Sequence, residues 1–274
     1  MKPELSIVIV NYNGQRYLQD CFDSIYLQLK GVSFEIIVVD NDSKDDSCNF
    51  IKSNYPDVRL FETGINLGFG RGNNLGVSYA QGDFILLLNN DTILLNELSV
   101  VLDILKEDES IGALGIKMLD SNSNYLPAFG KFPNFWNMMV LKKLLKFDYK
   151  SASGVFSKER YDVDWLGGSF LLMRRSVYNE VEGFDEDYFM YVEDVDFCKR
   201  IVNKGYKIVF STKCSYIHFV GFDVSKNKML IAGYKIYINK HFHGFKKCLL
   251  LYALKINETV KHLKQKVGMR NFTF

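Results

Sequence analysis

The chain of 274 residues contains little of what marks several unusual protein classes. Four prolines, no low-complexity tract and no internal repeat argue against a disordered or repetitive protein. The five cysteines are scattered without a C-x-x-C pair, so we expect neither a zinc site nor a disulfide framework, and a reducing cytoplasm fits. No apolar run is long enough to span a bilayer, and the first residues lead into a short strand instead of a signal peptide.

Acidic residues are scarce in the last part of the chain. Residues 226–274 contain eleven Lys or Arg and one acid, Glu258, which leaves 23 basic and 31 acidic residues in the first 225. The apolar residues of this basic segment recur at helical spacing: Leu249, Tyr252, Leu254, Ile256, Val260, Leu263 and Val267. We expect either an amphipathic helix on an anionic membrane surface or a helix packed on the protein with a solvated lysine face. Nucleic acid is a possible partner of any basic segment, but we do not expect it here.

Apolar runs and amphipathic segments alternate through the first 119 residues. Five runs predict strands, over 5–10, 34–39, 58–61, 84–88 and about 111–118. Helical patterns lie between them, and one of these follows a Gly-rich turn at 64–72 and continues to Ala80, while another covers about 96–107. This alternation predicts an α/β fold with a parallel, doubly wound sheet. The hydrophobic fraction of 47% is enough for a sizeable core.

The alternation stops after residue 119. Residues 120–164 are rich in aromatic and basic residues and suggest an insertion or lid, with one amphipathic piece at 135–145. We predict a strand over 165–173, a helix that ends near Asn203, and two short strands near 207–211 and 215–219. The predicted domain is therefore 1–225, with two halves, 1–118 and 119–225, followed by a basic helical extension at 226–274.

Polar residues follow three of the predicted strands directly. Asn11 ends the first, Asp40 and Asp42 end the second, and Asn89 to Asp91 end the fourth. Parallel strands bring such tips to one edge of the sheet, where α/β folds bind ligands. A carboxylate at 40 or 42 can accept the N3–H of a uracil or thymine, and Asp91 can hold a divalent cation against a diphosphate. The alternative is three unrelated turn caps, with Ser43 capping the next helix.

The Gly-rich turn contains a G-x-G-x-G run with the wrong position and spacing for a dinucleotide fingerprint. Its glycines, Gly68 among them, would let the backbone approach a nucleotide closely. The polar residues expected to contact the nucleotide are Asn66, Arg71, Asn73 and Asn74.

Six acidic residues lie between residues 183 and 196, interleaved with aromatic residues. Glu193 and Asp194 come where a helix should begin, and a carboxylate there can take a proton from a hydroxyl nucleophile. We interpret Asp196 as a capping or helix-surface residue. His218 ends an apolar strand and is either a core histidine or a second protein ligand for Mn²⁺. The other histidines, His241, His243 and His262, are expected at the surface.

Together these motifs resemble the inverting glycosyltransferases of family 2, and most closely their bacterial rhamnosyltransferase-like branch. The similarity covers roughly residues 5–245 and rests on segments 6–13, 38–43, 66–74, 87–92, 165–175, 182–186 and 193–196. It implies a GT-A fold, which is a Rossmann-like mixed, mainly parallel sheet with helices on both faces. It also implies a nucleotide-sugar donor, a glycan or lipid-linked acceptor, and a divalent cation, Mn²⁺ or Mg²⁺.

The resemblance implies a role for each motif residue. Asp40 would bind the base, Asp194 would be the general base, and His218 stands where some members have a metal-binding histidine. Asn89 to Asp91 occupy the place of the D-x-D metal motif, but Asn89 replaces its first acid and leaves Asp91 as the main anchor. The residues assigned to the sugar and acceptor pocket are Trp165, Gly167, Gly168, Asp185 and Glu186.

Two other functions remain open at this stage. A sugar-nucleotide-binding protein without catalysis would not need the acidic pair at 193–194. A nucleotidyltransferase prefers a Gly-rich basic loop after its first strand, where this chain has Asn11 to Gly14 with only Arg16 nearby. The donor sugar is expected to be rhamnose from dTDP-rhamnose, or a hexose from a UDP-hexose. The enzyme would be cytoplasmic and peripheral on the inner face of the cell membrane.

Overall fold

A computed structural model describes residues 2–145, 154–219 and 226–266. Its first half alternates strands and helices as the sequence predicts. The elements are β1 (Leu5–Asn11), α1 (Gln15–Gln28), β2 (Phe34–Asp40), α2 (Ser47–Asn54), β3 (Arg59–Glu62), α3 (Phe69–Ser78), β4 (Phe84–Leu88), β5 (Thr92–Leu94), α4 (Ser99–Glu107) and β6 (Ile111–Leu119). Strands β1 to β4 are parallel, and their apolar runs are buried because both faces of the sheet are covered.

The second half adds strands of both directions to the sheet. Its elements are β7 (Tyr125–Leu126), β8 (Phe129–Gly130), α5 (Phe135–Met139), a 3₁₀ helix (Leu141–Leu145), β9 (Arg160–Val163), β10 (Trp165–Leu166), β11 (Phe170–Arg174), α6 (Arg175–Glu180), α7 (Glu193–Asn203), β12 (Lys207–His218), α8 (Lys226–His241) and α9 (Gly244–Lys266). The main sheet has the order β3-β2-β1-β4-β11-β6-β12-β5, with β7 beside β6 and β9 beside β12. Strand β11 is antiparallel to both of its neighbours, so the sheet is mixed.

Helices cover both faces of this sheet. Apolar residues of α1, α2 and α4 pack with one set of strand side chains. Residues of α3, α6, α7, α8 and α9 pack with the other set. The predicted mixed α/β architecture with helices on both faces is therefore confirmed.

Several boundaries differ from the prediction. The expected strand over 165–173 is two strands in different sheets, because Gly167 and Gly168 interrupt it. The two expected strands between 207 and 219 are one strand, β12, whose register against β6 shifts between Ser211 and Ser215. Ser43 does not cap α2, which begins at Ser47, because the hydroxyl of Ser43 is bonded to the side chain of Asp40.

The predicted amphipathic piece at 135–145 is two short helices. Helix α5 begins with a capping box in which Asn134 and Asn137 each bond the backbone N–H of the other. The 3₁₀ helix that follows α5 contacts the residue directly after β8, because the Lys131 N–H donates to the carbonyl of Leu144. These helices thus close the insertion back onto β8.

The basic extension packs on the protein through two helices. The residues it buries are Ile231, Tyr234, Tyr237, Ile238, Leu250, Ala253 and Leu254. Of the two alternatives for this segment, packing on the protein therefore holds for α8 and for one face of α9, whereas Val267 lies outside the described residues. Among the helices in the described ranges, none has the length and apolar character needed to cross a bilayer.

Candidate active site

Three strand tips are joined by short hydrogen bonds between side chains. Asn11 lies opposite Asp40 in the β1–β2 register, and its Nδ2 donates to Asp40 Oδ2 at 2.7 Å. Its Oδ1 accepts from Asn90 Nδ2, also at 2.7 Å. The tips of β1, β2 and β4 are therefore one polar network, as expected for parallel strands that end at one edge.

Asp40 is the best-satisfied carboxylate of this network. Besides Asn11, the backbone N–H and the hydroxyl of Ser43 donate to it at 2.8 and 2.7 Å. Asp40 is only 2% exposed, and three donors leave it about one free lone-pair direction for a nucleotide base. Asp42 lies two residues later with a left-handed backbone (φ 66°), is more accessible, and pairs with Lys44 at 2.7 Å.

Asp91 and His218 meet at the ends of β4 and β12. His218 lies opposite Thr92 in the β5–β12 register, and its Nε2 is 3.1 Å from Asp91 Oδ1 and 3.2 Å from Asn89 Nδ2. Asp91 Oδ1 is buried and accepts no well-aligned hydrogen bond from the described residues. A carboxylate oxygen without a donor next to an imidazole nitrogen is a donor set that fits a divalent cation with a diphosphate completing its shell. The described residues contain no group of three acidic, His or Cys side chains arranged for a metal.

The Gly-rich turn packs on the acidic segment instead of lying open. Gly68 has φ 80°, and a Cβ on it would lie 2.3 Å from the carbonyl oxygen of Phe189. That carbonyl accepts from Phe69 N–H at 3.0 Å, and Asn41 Nδ2 donates to the carbonyl of Gly68. Only glycine fits this close approach of two loops. The side chain of Asn66 accepts from Gly68 N–H within the same turn.

The other polar residues predicted in this turn bond mainly to protein groups. Arg71 donates to the carbonyl of Glu186, and Asn73 is buried and donates to the carbonyl of Phe69. The side chain of Asn74 makes three hydrogen bonds, because it donates to the carbonyl of Phe184 and accepts from Phe184 N–H and from the Tyr178 hydroxyl. These contacts tie α3 to the acidic segment, and Arg71, which is half exposed, is the one that still reaches solvent.

Glu193 and Asp194 form the first turn of α7, where the helix dipole favours negative charge. Asp194 accepts from the N–H groups of Gly168 at 3.1 Å and Val195 at 2.8 Å. Burial outweighs these bonds and raises the pKa of Asp194 to about 6. Burial, followed by the nearby charge of Asp194, raises the pKa of Glu193 well above its ordinary value. A carboxylate that titrates near neutrality is suited to take a proton from an alcohol.

Two hydrogen bonds connect this pair to the tip of β4. Gly168 N–H donates to Asp194, and the carbonyl of the next residue, Ser169, accepts from Asn89 N–H at 3.1 Å. Strand β11 then runs back along β4, with Phe170 opposite Leu88. The structure therefore brings residues 89–91 and Asp194, which are about a hundred positions apart in sequence, to the same edge of the sheet.

The turn before α7 is strained. Tyr191 and Val192 both have left-handed backbones, with φ 71° and 75°, which is costly for a β-branched residue such as Val192. Gly233 of α8 packs directly on this turn, since a Cβ on it would lie 2.6 Å from the carbonyl oxygen of Tyr191. Helix α8 thus supports the segment from which Glu193 and Asp194 project.

The residues predicted for the sugar and acceptor pocket divide into two groups. Trp165 is buried, and its indole N–H donates to the carbonyl of Lys131, while a Cβ on Gly167 would meet the carbonyl oxygen of Ala128 at 3.6 Å, an ordinary contact. Asp185 forms an ion pair with Lys240 of α8, and the side chain of Glu186 is exposed. Gly168 and Gly167 are thus adjacent to Asp194, whereas Asp185 contacts the extension.

Asp196 and His241 correct two predictions. Asp196 is not a surface residue but is 1% exposed, and it accepts from Arg200 Nε at 2.7 Å and lies 2.6 Å from His241 Nε2. Burial alone would raise the pKa of Asp196, but the hydrogen bond from His241 and the charge of Arg200 outweigh it and lower that pKa. His241, expected at the surface, is therefore a half-buried link between α8 and α7, whereas His243 and His262 are exposed as predicted.

Sequence reasoning missed the residues that support the site from a distance. Asn41 is buried and holds the Gly-rich turn, and Ser169, next to the Gly168 that contacts Asp194, accepts a hydrogen bond from the tip of β4. Gly233 is the one with a signal in the sequence, because a glycine inside a helical pattern often marks a close approach. The others depend on tertiary contacts that no local pattern reveals.

Comparison with known proteins identifies the family. The profile described as "Glycosyl transferase family 2" matches residues 6–181, which contain the strand tips and the Gly167–Gly168 segment. This chain belongs to glycosyl transferase family 2. The profile "N-terminal domain of galactosyltransferase" matches residues 151–222, a range that includes Asp194 and His218. The protein is a glycosyltransferase, as the sequence motifs predict.

Curated relatives of this family 2 protein include rhamnosyltransferases. The N-acetylglucosaminyl-diphospho-decaprenol L-rhamnosyltransferase of Mycobacterium tuberculosis is 28% identical over 236 residues, covering 80% of this chain and 76% of that protein. Rhamnosyltransferase WbbL of Escherichia coli K12 is 29% identical over 227 residues, covering 79% of this chain and 84% of WbbL. The predicted similarity to the rhamnosyltransferase-like branch is confirmed.

A solved structure supports the fold. The mannosyltransferase PcManGT from Pyrobaculum calidifontis, in complex with GDP-Man and Mn²⁺, superposes with a TM-score of 0.61 at 17% identity, covering 98% of this chain and 76% of that one. The predicted GT-A fold is thus confirmed.

Proposed function

We propose that this glycosyltransferase moves a sugar from a nucleoside-diphosphate sugar to a hydroxyl of a glycan or lipid-linked acceptor, with inversion at the anomeric carbon, in surface polysaccharide synthesis. The observation that carries the proposal is Asp194, a carboxylate with a raised pKa whose hydrogen-bonding partner Gly168 adjoins the strand that ends at Asn89 to Asp91. One edge of the sheet then offers groups for a nucleotide, a diphosphate and a nucleophile. The rhamnosyltransferase relatives favour dTDP-rhamnose as the donor, with UDP-hexoses as the alternative.

The donor would lie across the strand tips. Its base would meet the Asp40–Asp42 segment and Asn11, with Asn66, Gly68 and the half-exposed Arg71 bordering it. Asn73, Asn74 and Asn90 would act by holding these loops in place, since their side chains are engaged with protein groups. Asp91 and His218 would hold a divalent cation, Mn²⁺ or Mg²⁺, which when bound neutralises charge on the leaving diphosphate.

The reaction would be a single displacement. The acceptor oxygen attacks the anomeric carbon as the bond from that carbon to the phosphate oxygen breaks, and the hydroxyl proton passes to Asp194. Burial raises the pKa of Asp194 to about 6, which makes it a strong enough base near neutral pH, and Glu193 lies beside it in the same helical turn. Trp165, Gly167 and Gly168 would border the sugar and acceptor, with Asp185 and Glu186 at the rim.

A lipid-linked acceptor is supported by the mycobacterial relative, whose name specifies transfer to N-acetylglucosaminyl-diphospho-decaprenol. Such an acceptor would place the enzyme in the cytoplasm, peripheral on the inner face of the membrane. No role for nucleic acid is proposed.

The test has two steps. Candidate donors are first screened by thermal shift with Mn²⁺ or Mg²⁺, because a ligand that binds the folded state raises the melting temperature. The stabilising donor is then incubated with lipid-linked acceptors, and the anomeric configuration of the product is determined. An inverted glycoside with release of nucleoside diphosphate supports the proposal.

Other outcomes identify the alternatives. Donor binding without turnover on any acceptor would indicate a sugar-nucleotide-binding protein. Formation of pyrophosphate from a nucleoside triphosphate and a sugar phosphate would indicate a nucleotidyltransferase. A product that retains the donor configuration would rule out the single displacement.

A further inference from the structure

Helix α9 has two apolar faces, and only one of them packs on the protein. The inner face contains Leu250, Ala253, Leu254 and Asn257, all buried, and Asn257 donates to the carbonyl of Met139 in α5. A second set recurs at helical spacing along the same helix: Phe245, Leu249, Tyr252, Ile256, Val260 and Leu263. We call this second set the outer ridge.

Four of the six ridge side chains are exposed, and Leu249 and Ile256 are half-buried. Phe245 is 82% exposed, Tyr252 64% and Leu263 55%. At 100° per residue the ridge positions fall within a single arc of about 80°, which borders the inner face where Val260 lies next to Ala253. Solvated helices in stable monomers rarely present such a continuous row of large apolar side chains, so the row needs a partner.

The neighbouring helix extends this apolar surface. Trp136 and Val140, one turn apart on α5, are 70% and 44% exposed, and α5 packs against α9. The surface therefore combines an indole, a phenol and aliphatic groups, which is the composition that prefers the boundary between lipid head groups and acyl chains.

The charge around this surface is positive. Lys255 lies on α9 beside the outer ridge, on the side away from the inner face, and the segment from 226 onward has eleven basic residues and one acid. Lys142 of the 3₁₀ helix is close enough that, after burial, its charge contributes to lowering the pKa of Lys261. A second copy of this chain would bring the same positive charges to the interface, whereas an anionic bilayer would neutralise them.

We infer that the outer ridge, with Trp136 and Val140, docks the protein on an anionic lipid surface. The helix would lie in the plane of the interface, with its apolar side chains among the acyl chains and its lysines at the head groups. The inference rests on the proposed function in one respect, because it orients the proposed acceptor pocket toward the membrane. Helix α5 and the 3₁₀ helix pack behind Trp165 of that pocket through Lys131 and Gly130. The acceptor side of the enzyme would then face the membrane.

Flotation of the full-length protein with lipid vesicles tests this docking. We expect binding to vesicles of phosphatidylcholine with phosphatidylglycerol, weaker binding to phosphatidylcholine alone, and loss of binding at high salt. The double substitution Phe245→Ser/Tyr252→Ser should weaken binding at least about tenfold, since two large apolar side chains no longer leave water. Leu27→Ser, at an exposed apolar position of α1, is the matched control and should bind as the wild type.

Two further measurements make the result decisive. The melting temperature of each variant shows that the fold is intact, and Lys255→Gln tests the charge beside the ridge without altering an apolar residue. Unchanged flotation of the ridge variant, no effect of phosphatidylglycerol, or a wild-type dimer that the ridge substitutions dissociate would each overturn the inference. Flotation needs neither donor nor acceptor, so failure of the proposed reaction would be seen separately.

Discussion

Asp40 and Asp194 lie at the same edge of the sheet, but they are surrounded very differently. Asp40 accepts one hydrogen bond from Asn11 and two from Ser43, which satisfies most of a carboxylate's capacity. Asp194 has two backbone donors, and its neighbour Glu193 has a buried oxygen, Oε2, with no partner among the described residues. A well-supplied carboxylate serves as a fixed anion, whereas an undersupplied, buried one can exchange a proton.

The difference between Asp40 and Asp194 is tested most strongly by substitution of Asp194, the proposed proton acceptor. We expect Asp194→Asn to lower kcat by about 10²–10⁴ while donor binding is retained, because general base catalysis is typically worth that factor. Turnover measured under saturating donor gives the result, with thermal shift as the binding assay. Asp187→Asn, which changes an exposed acid of the same segment, is the control and should keep its rate. Near wild-type turnover by Asp194→Asn would contradict the assignment.

Substitution at the proposed cation site should have the next largest effect on activity. Asp91→Ala is expected to lower activity by about 10²–10³ and to remove its dependence on added cation, since a bound metal stabilises the transition state by several kcal/mol. Rates are measured against Mn²⁺ or Mg²⁺ concentration. Full activity of the wild type in excess chelator would show that no metal acts there.

The hydrogen-bond network around Asp40 is tested by substitution of Asn11. Asn11→Ala leaves Asp40 and Asn90 each short of a partner in a buried setting, which should cost about 1–3 kcal/mol in the free energy of unfolding. Chemical denaturation measures the loss. Asn49→Ala, the control, removes an exposed amide bonded to Asp46 and should change stability little. Equal losses in the free energy of unfolding for Asn11→Ala and Asn49→Ala would show that the network does not stabilise the fold.

Substitution of Glu193 should have a smaller effect on stability than substitution of Asn11, and it should stabilise the fold. Its pKa is raised in the folded state, so folding loses stability as pH rises from the unfolded value towards the folded one, and the loss persists at higher pH. Glu193→Gln should therefore raise the melting temperature at pH 7 by about 2–4 °C, the shift that ~1 kcal/mol produces in a domain of this size. The gain should vanish at pH 4, where the unfolded carboxyl also becomes protonated. Glu107→Gln, at an exposed position, should show neither change.

The sequence was a good guide wherever one local pattern determines the structure. The buried strands follow from unbroken apolar runs, and the tips of parallel strands meet because such strands share a direction, which is why Asn11 and Asp40 could be paired in advance. The prediction failed where a glycine pair interrupts an apolar run, as at Gly167 and Gly168. It also failed for Asp196 and His241, because their burial depends on how α8 packs 45 residues away.

The contact between Gly233 and the turn at Tyr191 has a consequence for how the enzyme comes to be active. The strained turn before Asp194 packs against α8, which ends at His241, and we expect the turn to keep its conformation only when α8 is folded against it. A nascent chain that carries every nucleotide-binding residue would thus remain idle on the ribosome until this helix has emerged. Proteolysis just before Lys226 should likewise yield a protein that still holds its donor and no longer uses it.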